Sequence, residues 1–125
     1  MRFAMICAGG AIGTGARYLT ALWAASAFGV DFPVGTLIVN LAGSFLIAFI
    51  MHLSSVLSIS TDVRLMLTTG VMGGFTTYSA FNYETTGFLR AGAWGTGVVN
   101  VFATVLGCLV AGFLGLVVAR VVVGR

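Results

Sequence analysis

"GGFTTYSAF", residues 73 to 81, sits inside a stretch that is otherwise apolar enough to cross a bilayer. Adjacent glycines followed by two threonines weaken a helix. In lipid a helix is broken only where its freed amides and carbonyls face protein, water or an ion. The stretch therefore predicts an interruption with a ligand beside it. Unwound carbonyls suit a hard cation such as sodium. Beyond the interruption, Tyr78 and Phe81 are three apart and share a helical face, so their positive ring edges are placed to meet an anion. Rings turned to lipid are the structural alternative.

The rest of the chain has the composition of a membrane protein. Its 125 residues are 59% hydrophobic and 7% charged, with a mean hydropathy of +1.11. Lysine is absent, and the charges Arg2, Arg17, Asp31, Asp62, Arg64, Glu84, Arg90, Arg120 and Arg125 leave uncharged runs of bilayer length. Without a basic patch interleaved with aromatics, the net charge of +3 speaks to membrane topology and not to nucleic acid. Cys7 and Cys108 lie in apolar runs with no metal-ligand spacing, which indicates neither a disulfide nor a zinc site.

A spanning helix needs about 20 mainly apolar residues, and four such segments nearly exhaust the chain. They are expected at about 3–28, 34–53, 63–89 and 94–121, within one transmembrane domain over 1–125. Pro33 suits the start of the second helix, and Ser60, Thr61 and Asp62 suit the cap of the third. Arg2, an apolar run and "ASA" at 25–27 imitate a cleaved signal. Arg17 and the glycines at 9, 10, 13, 15 and 29 interrupt or flank that run, so it is read as a retained helix. The 18 glycines fit close helix approach, with Gly9-xxx-Gly13, Gly70-xxx-Gly74 and the ladder Ala103, Gly107, Ala111, Gly115 at the required spacing. Arg2, Arg64, Arg120 and Arg125 fall on one side and Arg90 on the other. This bias places the termini in the cytoplasm and is small enough to permit both orientations.

Polar residues at membrane depth mark an ion path or a helix contact. Asn40 on the second helix fits either. Asn100, Thr104 and Cys108 are four apart and stack on one face of the fourth helix, beside its small-residue ladder, as in a helix that lines a narrow route. Arg17 has three possible roles: to snorkel or bond helix carbonyls, to pair with Glu84, or to hold an anion. His52, at a helix end among serines, is expected to be interfacial and solvated. No nucleophile, paired carboxylate or phosphate loop is present, which argues against an enzyme.

Several stretches in order match one family. "GGFTTYSAF" resembles the GGxTTFSTF signature of the CrcB or Fluc fluoride channels, and the likeness extends to "GGAIGTGARY", "GTLIVNLAGSFLIAF", "TTGVMGGFTTYSAFNYE" and "NVFATVLGCL". The resemblance implies an all-α integral membrane protein with four transmembrane helices per subunit, the third broken. Its subunits pair as an antiparallel, dual-topology dimer in the bacterial inner membrane, passively exporting cytoplasmic fluoride through two pathways about a central structural sodium. It assigns the backbone carbonyls of Gly73 and Thr76 to sodium. It places Asn40, Tyr78, Ser79, Phe81, Asn100, Thr104 and Cys108 on the fluoride pathway, Arg17 on the first helix and Glu84 near an aqueous vestibule. Compact donors and ring edges replace fluoride's lost water without the trap of a bare cation.

Three positions depart from the family pattern: Tyr78 for phenylalanine, Ala80 for threonine and Cys108 for serine. They leave open whether the partner is a second copy or an oppositely oriented paralogue. A small multidrug antiporter, the rival of another class, needs a glutamate in the first helix. Here that helix carries Arg17 and no acid.

Overall fold

Glycine and proline set the helix ends. The computed structural model describes residues 1–124, so Arg125, counted above with the terminal side, lies outside the described residues. Helix α1 (Arg2–Phe28) stops at Gly29, whose φ of +81° is open to a residue without Cβ. Pro33 precedes α2 (Val34–Val56) and its carbonyl accepts the Leu37 N–H at 3.1 Å. Helix α3 (Thr61–Leu65) is capped by the Ser60 hydroxyl, which accepts from the Val63 N–H at 3.4 Å. The chain continues as a π-helical stretch, Met66–Met72, and a last turn, α4 (Gly73–Phe75). After Thr76 and Thr77 come α5 (Tyr78–Arg90) and α6 (Trp94–Val123). The protein is all-helical, with no strand among the described residues. Helices α2 and α6 run to Val56 and Val123, past the expected ends at 53 and 121.

The π stretch was not anticipated from the sequence. Within it the Thr68 hydroxyl donates to the Arg64 carbonyl four residues back at 2.9 Å, competing for an acceptor that an α-helix would give to a backbone N–H. At the end of the stretch the Gly73 N–H reaches back five residues to the Thr68 carbonyl, the wider closure of a π turn.

Glycine does the packing between helices. A Cβ on Gly9 would lie 2.6 Å from the Met66 carbonyl oxygen and one on Gly70 2.7 Å from that of Ile6. Cβ atoms on Gly13 and Gly74 would collide with the carbonyls of Val71 and Gly10. The two small-xxx-small motifs therefore face one another, backbone against backbone, across the contact of α1 with the π stretch and α4. Helix α2 packs most extensively on α6, where Gly115 closes on the Phe45 carbonyl and Gly107 on the Leu41 side chain.

The interior carries as many polar side chains as apolar ones. Asn40, Thr77, Thr85, Asn100 and Thr104 are buried alongside Val39, Met72, Phe81 and Ala119, whereas Phe102, Leu109, Phe113 and Val121 of α6 face outward. A chain folding in water does the reverse. Helices α2 and α6 contain 18-residue windows of mean hydropathy 2.1 and 2.6, enough to cross a bilayer. Outward aliphatics around a polar interior are those of a membrane protein.

Candidate ion site at the interrupted helix

Thr76 and Thr77 are extended, with φ, ψ of −81°, 157° and −151°, 109°. Two side chains replace the hydrogen bonds lost there. Asn40 of α2 holds both backbone groups of Thr77: its Oδ1 accepts the Thr77 N–H at 2.8 Å and its Nδ2 donates to the Thr77 carbonyl at 3.0 Å. The Thr77 hydroxyl caps α5 by accepting the Ala80 N–H at 3.2 Å.

These substitutions determine which groups are set free. In an unbroken α-helix the Thr77 N–H would bond the Gly73 carbonyl and the Ala80 N–H the Thr76 carbonyl. Asn40 takes the first donor and Thr77 Oγ1 the second, so the carbonyls of Gly73 and Thr76 lose their helical partners. The Tyr78 and Ser79 N–H groups, in the first turn of α5, make no backbone hydrogen bond across the interruption. The released carbonyls are thus followed directly in sequence by the positive end of α5. Carbonyl oxygens are a donor type that a hard cation takes, so the chemistry of these two groups is compatible with such an ion.

A cavity of about 400 Å³ opens against this segment. Asn40, Gly73, Thr76, Tyr78, Phe81, Thr104 and Cys108 all line it. The ring of Tyr78 meets that of Phe81 edge-on, with centroids 5.5 Å apart and planes at 61°, and Phe81 is buried while Tyr78 is exposed. Buried Thr104 makes no hydrogen bond among the described residues, unlike Thr68, Thr85 and Thr86, whose hydroxyls bond carbonyls of the preceding turn. Asn40 Nδ2 has two hydrogens and spends one on Thr77.

A second cavity lies across the clamp, lined by Arg17, Thr36, Thr77, Ala80 and Glu84. Glu84 Oε1 accepts from the Thr36 hydroxyl at 2.6 Å, and Oε2 is buried without a partner among the described residues. Asn40 walls the first cavity and Thr77 the second, so the Asn40–Thr77 clamp is the partition between them. A third cavity, running past Phe32 and Phe88, shares Thr36 and Glu84 with the second.

The structure thus gathers Asn40, Gly73, Thr76, Tyr78, Phe81, Thr104 and Cys108 at one cavity and Arg17 and Glu84 at another. Two residues expected on the pathway line neither of these cavities. Ser79 is exposed, and its hydroxyl is 3.2 Å from that of Thr77. Asn100 is buried between α5 and α6 and donates to Thr85 Oγ1 at 2.9 Å, an interhelical bond in place of a cavity position. Arg17 and Glu84 share a cavity but form no ion pair; the ion pair among the described residues joins Arg2 to Asp62 at 2.6 Å. His52, expected to be solvated, is half-buried, with its Nε2 buried and without a partner among the described residues. Sequence reasoning overlooked Thr36, Gly43, Thr77 and Thr85. Thr77 alone left a local signal, a threonine three residues before a helical N–H that needs a cap.

Comparison with known proteins gives a single answer along nearly the whole chain. Residues 4–116 match the family described as CrcB-like protein, Camphor Resistance (CrcB). The chain is 52% identical over 124 residues to the fluoride-specific ion channel FluC of Anaeromyxobacter sp. (strain K), covering 98% of each chain. It is 48% identical over 120 residues to that of Sorangium cellulosum (strain So ce56), covering 95% of this chain and 94% of the relative. To that of Agrobacterium fabrum (strain C58 / ATCC 33970) it is 40% identical over 121 residues, covering 96% and 97%.

Proposed function

This chain belongs to the CrcB family of fluoride ion channels, and from that premise we propose that it is a fluoride-selective channel passively exporting cytoplasmic fluoride across a bacterial inner membrane. The family is not one of enzymes. The observation that carries the proposal is the double replacement at the interruption, where Asn40 and Thr77 Oγ1 take the donors of Gly73 and Thr76.

The route runs from the cavity of Arg17 and Glu84, past the Asn40–Thr77 partition, to the cavity of Phe81, Thr104 and Cys108. Arg17 supplies positive potential at the entrance without lying on the partition. At the partition, the unspent Asn40 N–H and the first-turn N–H groups of α5 offer donors to an anion that has shed water. Beyond it, Phe81 and Tyr78 offer ring edges and Thr104 a hydroxyl with no competing protein partner. Each is weak alone, which lets the ion leave.

The carbonyls of Gly73 and Thr76 would hold sodium, and the cation, when bound, supplies fixed positive charge that binds the loop. Two carbonyls are too few to enclose an ion. Completion by a second, antiparallel subunit brings four, and the exposed Tyr78 beside the open cavity is the surface such a subunit would cover. The Ala80 departure falls in the Arg17 and Glu84 cavity, so a missing hydroxyl there weakens the entrance and leaves the ring pair untouched.

The test is fluoride efflux from proteoliposomes read by a fluoride electrode, with chloride-loaded vesicles in parallel. Rapid fluoride release with chloride retained is expected. Equal release of both, or release no faster than from empty vesicles, refutes the proposal.

A further inference from the structure

We propose that Gly43 is a positioning residue for the cation-binding carbonyls: the room left by its missing side chain seats the Thr76 methyl, which makes α2 the template that holds the interruption. This rests on the sodium reading above.

A Cβ built on Gly43 would collide with Thr76 Cγ2, with Phe75 Cδ1 and Thr76 Cβ each 3.6 Å away. Thr76 has no room to retreat. Its hydroxyl and its N–H both donate to the Met72 carbonyl, at 2.9 and 3.0 Å. The next residue, Thr77, is held at both backbone groups by Asn40. A β-branched side chain is stiff at χ1, so turning the methyl aside breaks the bond to Met72. Asn40 and Gly43 are three apart and share a face of α2. One grips the backbone of Thr77 and the other admits the side chain of Thr76. A methyl at position 43 therefore displaces Thr76 together with its carbonyl, the one whose donor Thr77 Oγ1 has taken.

Gly107 provides the contrast. Its added Cβ would meet Leu41 Cδ2 at 2.8 Å, the far end of a flexible side chain that can turn away.

A size swap tests the assignment. Wild type, Gly43→Ala, Gly107→Ala, Thr76→Ser and the double variant Gly43→Ala/Thr76→Ser are purified whole. For each, the sodium concentration giving half-maximal thermal stabilisation is measured against N-methylglucamine, alongside fluoride efflux. Gly43→Ala is expected to raise that concentration about tenfold or more, the usual scale of overpacking. Gly107→Ala leaves it unchanged. The double variant, in which serine removes the colliding methyl and keeps the hydroxyl, returns most of the way to wild type. A Gly43→Ala midpoint equal to wild type, or a double variant no better than the single one, overturns the proposal. If Gly43→Ala is not monodisperse, its folded yield becomes the readout: recovery in the double variant supports the seat and no recovery overturns it. A wild type that conducts fluoride but shows no sodium response overturns the sodium reading and the positioning role with it. A wild-type response shared by Gly43→Ala overturns only the role of Gly43.

Discussion

Helix α6 and the segment from Thr61 to Arg90 are each about thirty residues long, yet they use their backbones in opposite ways. Helix α6 is unbroken from Trp94 to Val123 and turns aliphatic side chains outward. The other segment passes through α, π, α and extended geometry before becoming α5. In α6 the backbone is spent on itself, and only a few side chains, Thr104, Val105 and Cys108, reach the cavity at the interruption. In the interrupted segment the backbone itself is the proposed ligand surface, and neighbouring helices take over the work of holding it: Asn40 from α2 by hydrogen bonds, Gly10 and Gly13 from α1 by close approach. A bilayer permits this only where the freed groups face protein, water or an ion.

If that contrast is right, the largest effect follows from removing the clamp. Asn40→Leu leaves the Thr77 N–H and carbonyl without their partners, at about 1–3 kcal/mol for each buried orphan. Fluoride efflux should fall by more than about 100-fold, with a matching drop in thermal midpoint. An Asn40→Leu protein as stable and active as wild type breaks the comparison.

Next come paired glycine substitutions, one in each region. Gly74→Ala drives a methyl into the Gly10 carbonyl and should lose about 2 kcal/mol, because backbone cannot step aside. Gly107→Ala on α6 meets only a leucine terminus and should lose less than about 1 kcal/mol. Thermal unfolding of the two in the same lipid or detergent decides between them.

Two threonines sharpen the distinction further. Thr85→Val on α5 deprives Asn100 of its acceptor and the Phe81 carbonyl of a donor at 2.7 Å, and should destabilise by about 1–3 kcal/mol. Thr104→Val removes a hydroxyl with no protein partner among the described residues. Stability should stay within about 0.5 kcal/mol while fluoride efflux falls about two- to tenfold, the worth of one hydrogen bond to the ion.

The helical class and the position of the unusual segment were legible because both rest on local chemistry: apolar runs, Gly29, Pro33, and "GG" before "TT". The roles of individual polar residues were less so. Asn40, Asn100 and Thr104 look alike as polar points in apolar helices, and the sequence offers no means of ranking them. Only the packing separates them, into a clamp on Thr77, a bond to Thr85 and a hydroxyl facing a cavity. The π stretch was invisible for a related reason, since the Thr68 bond within it is one that many helical threonines make in ordinary α-helix. Gly43 was hidden among eighteen glycines, because what distinguishes it is the Thr76 methyl across a helix contact.

The central claim is that the backbone between Gly73 and Ala80 is held open by side chains so that an ion can use it. An experimental structure of the protein in sodium-containing lipid tests it most directly. The account predicts extended Thr76 and Thr77, Asn40 on both backbone groups of Thr77, and a cation against the carbonyls of Gly73 and Thr76 from two copies of the chain. A continuous α-helix through residues 73–80, with the Thr77 N–H bonded to the Gly73 carbonyl and no ion beside it, would contradict it.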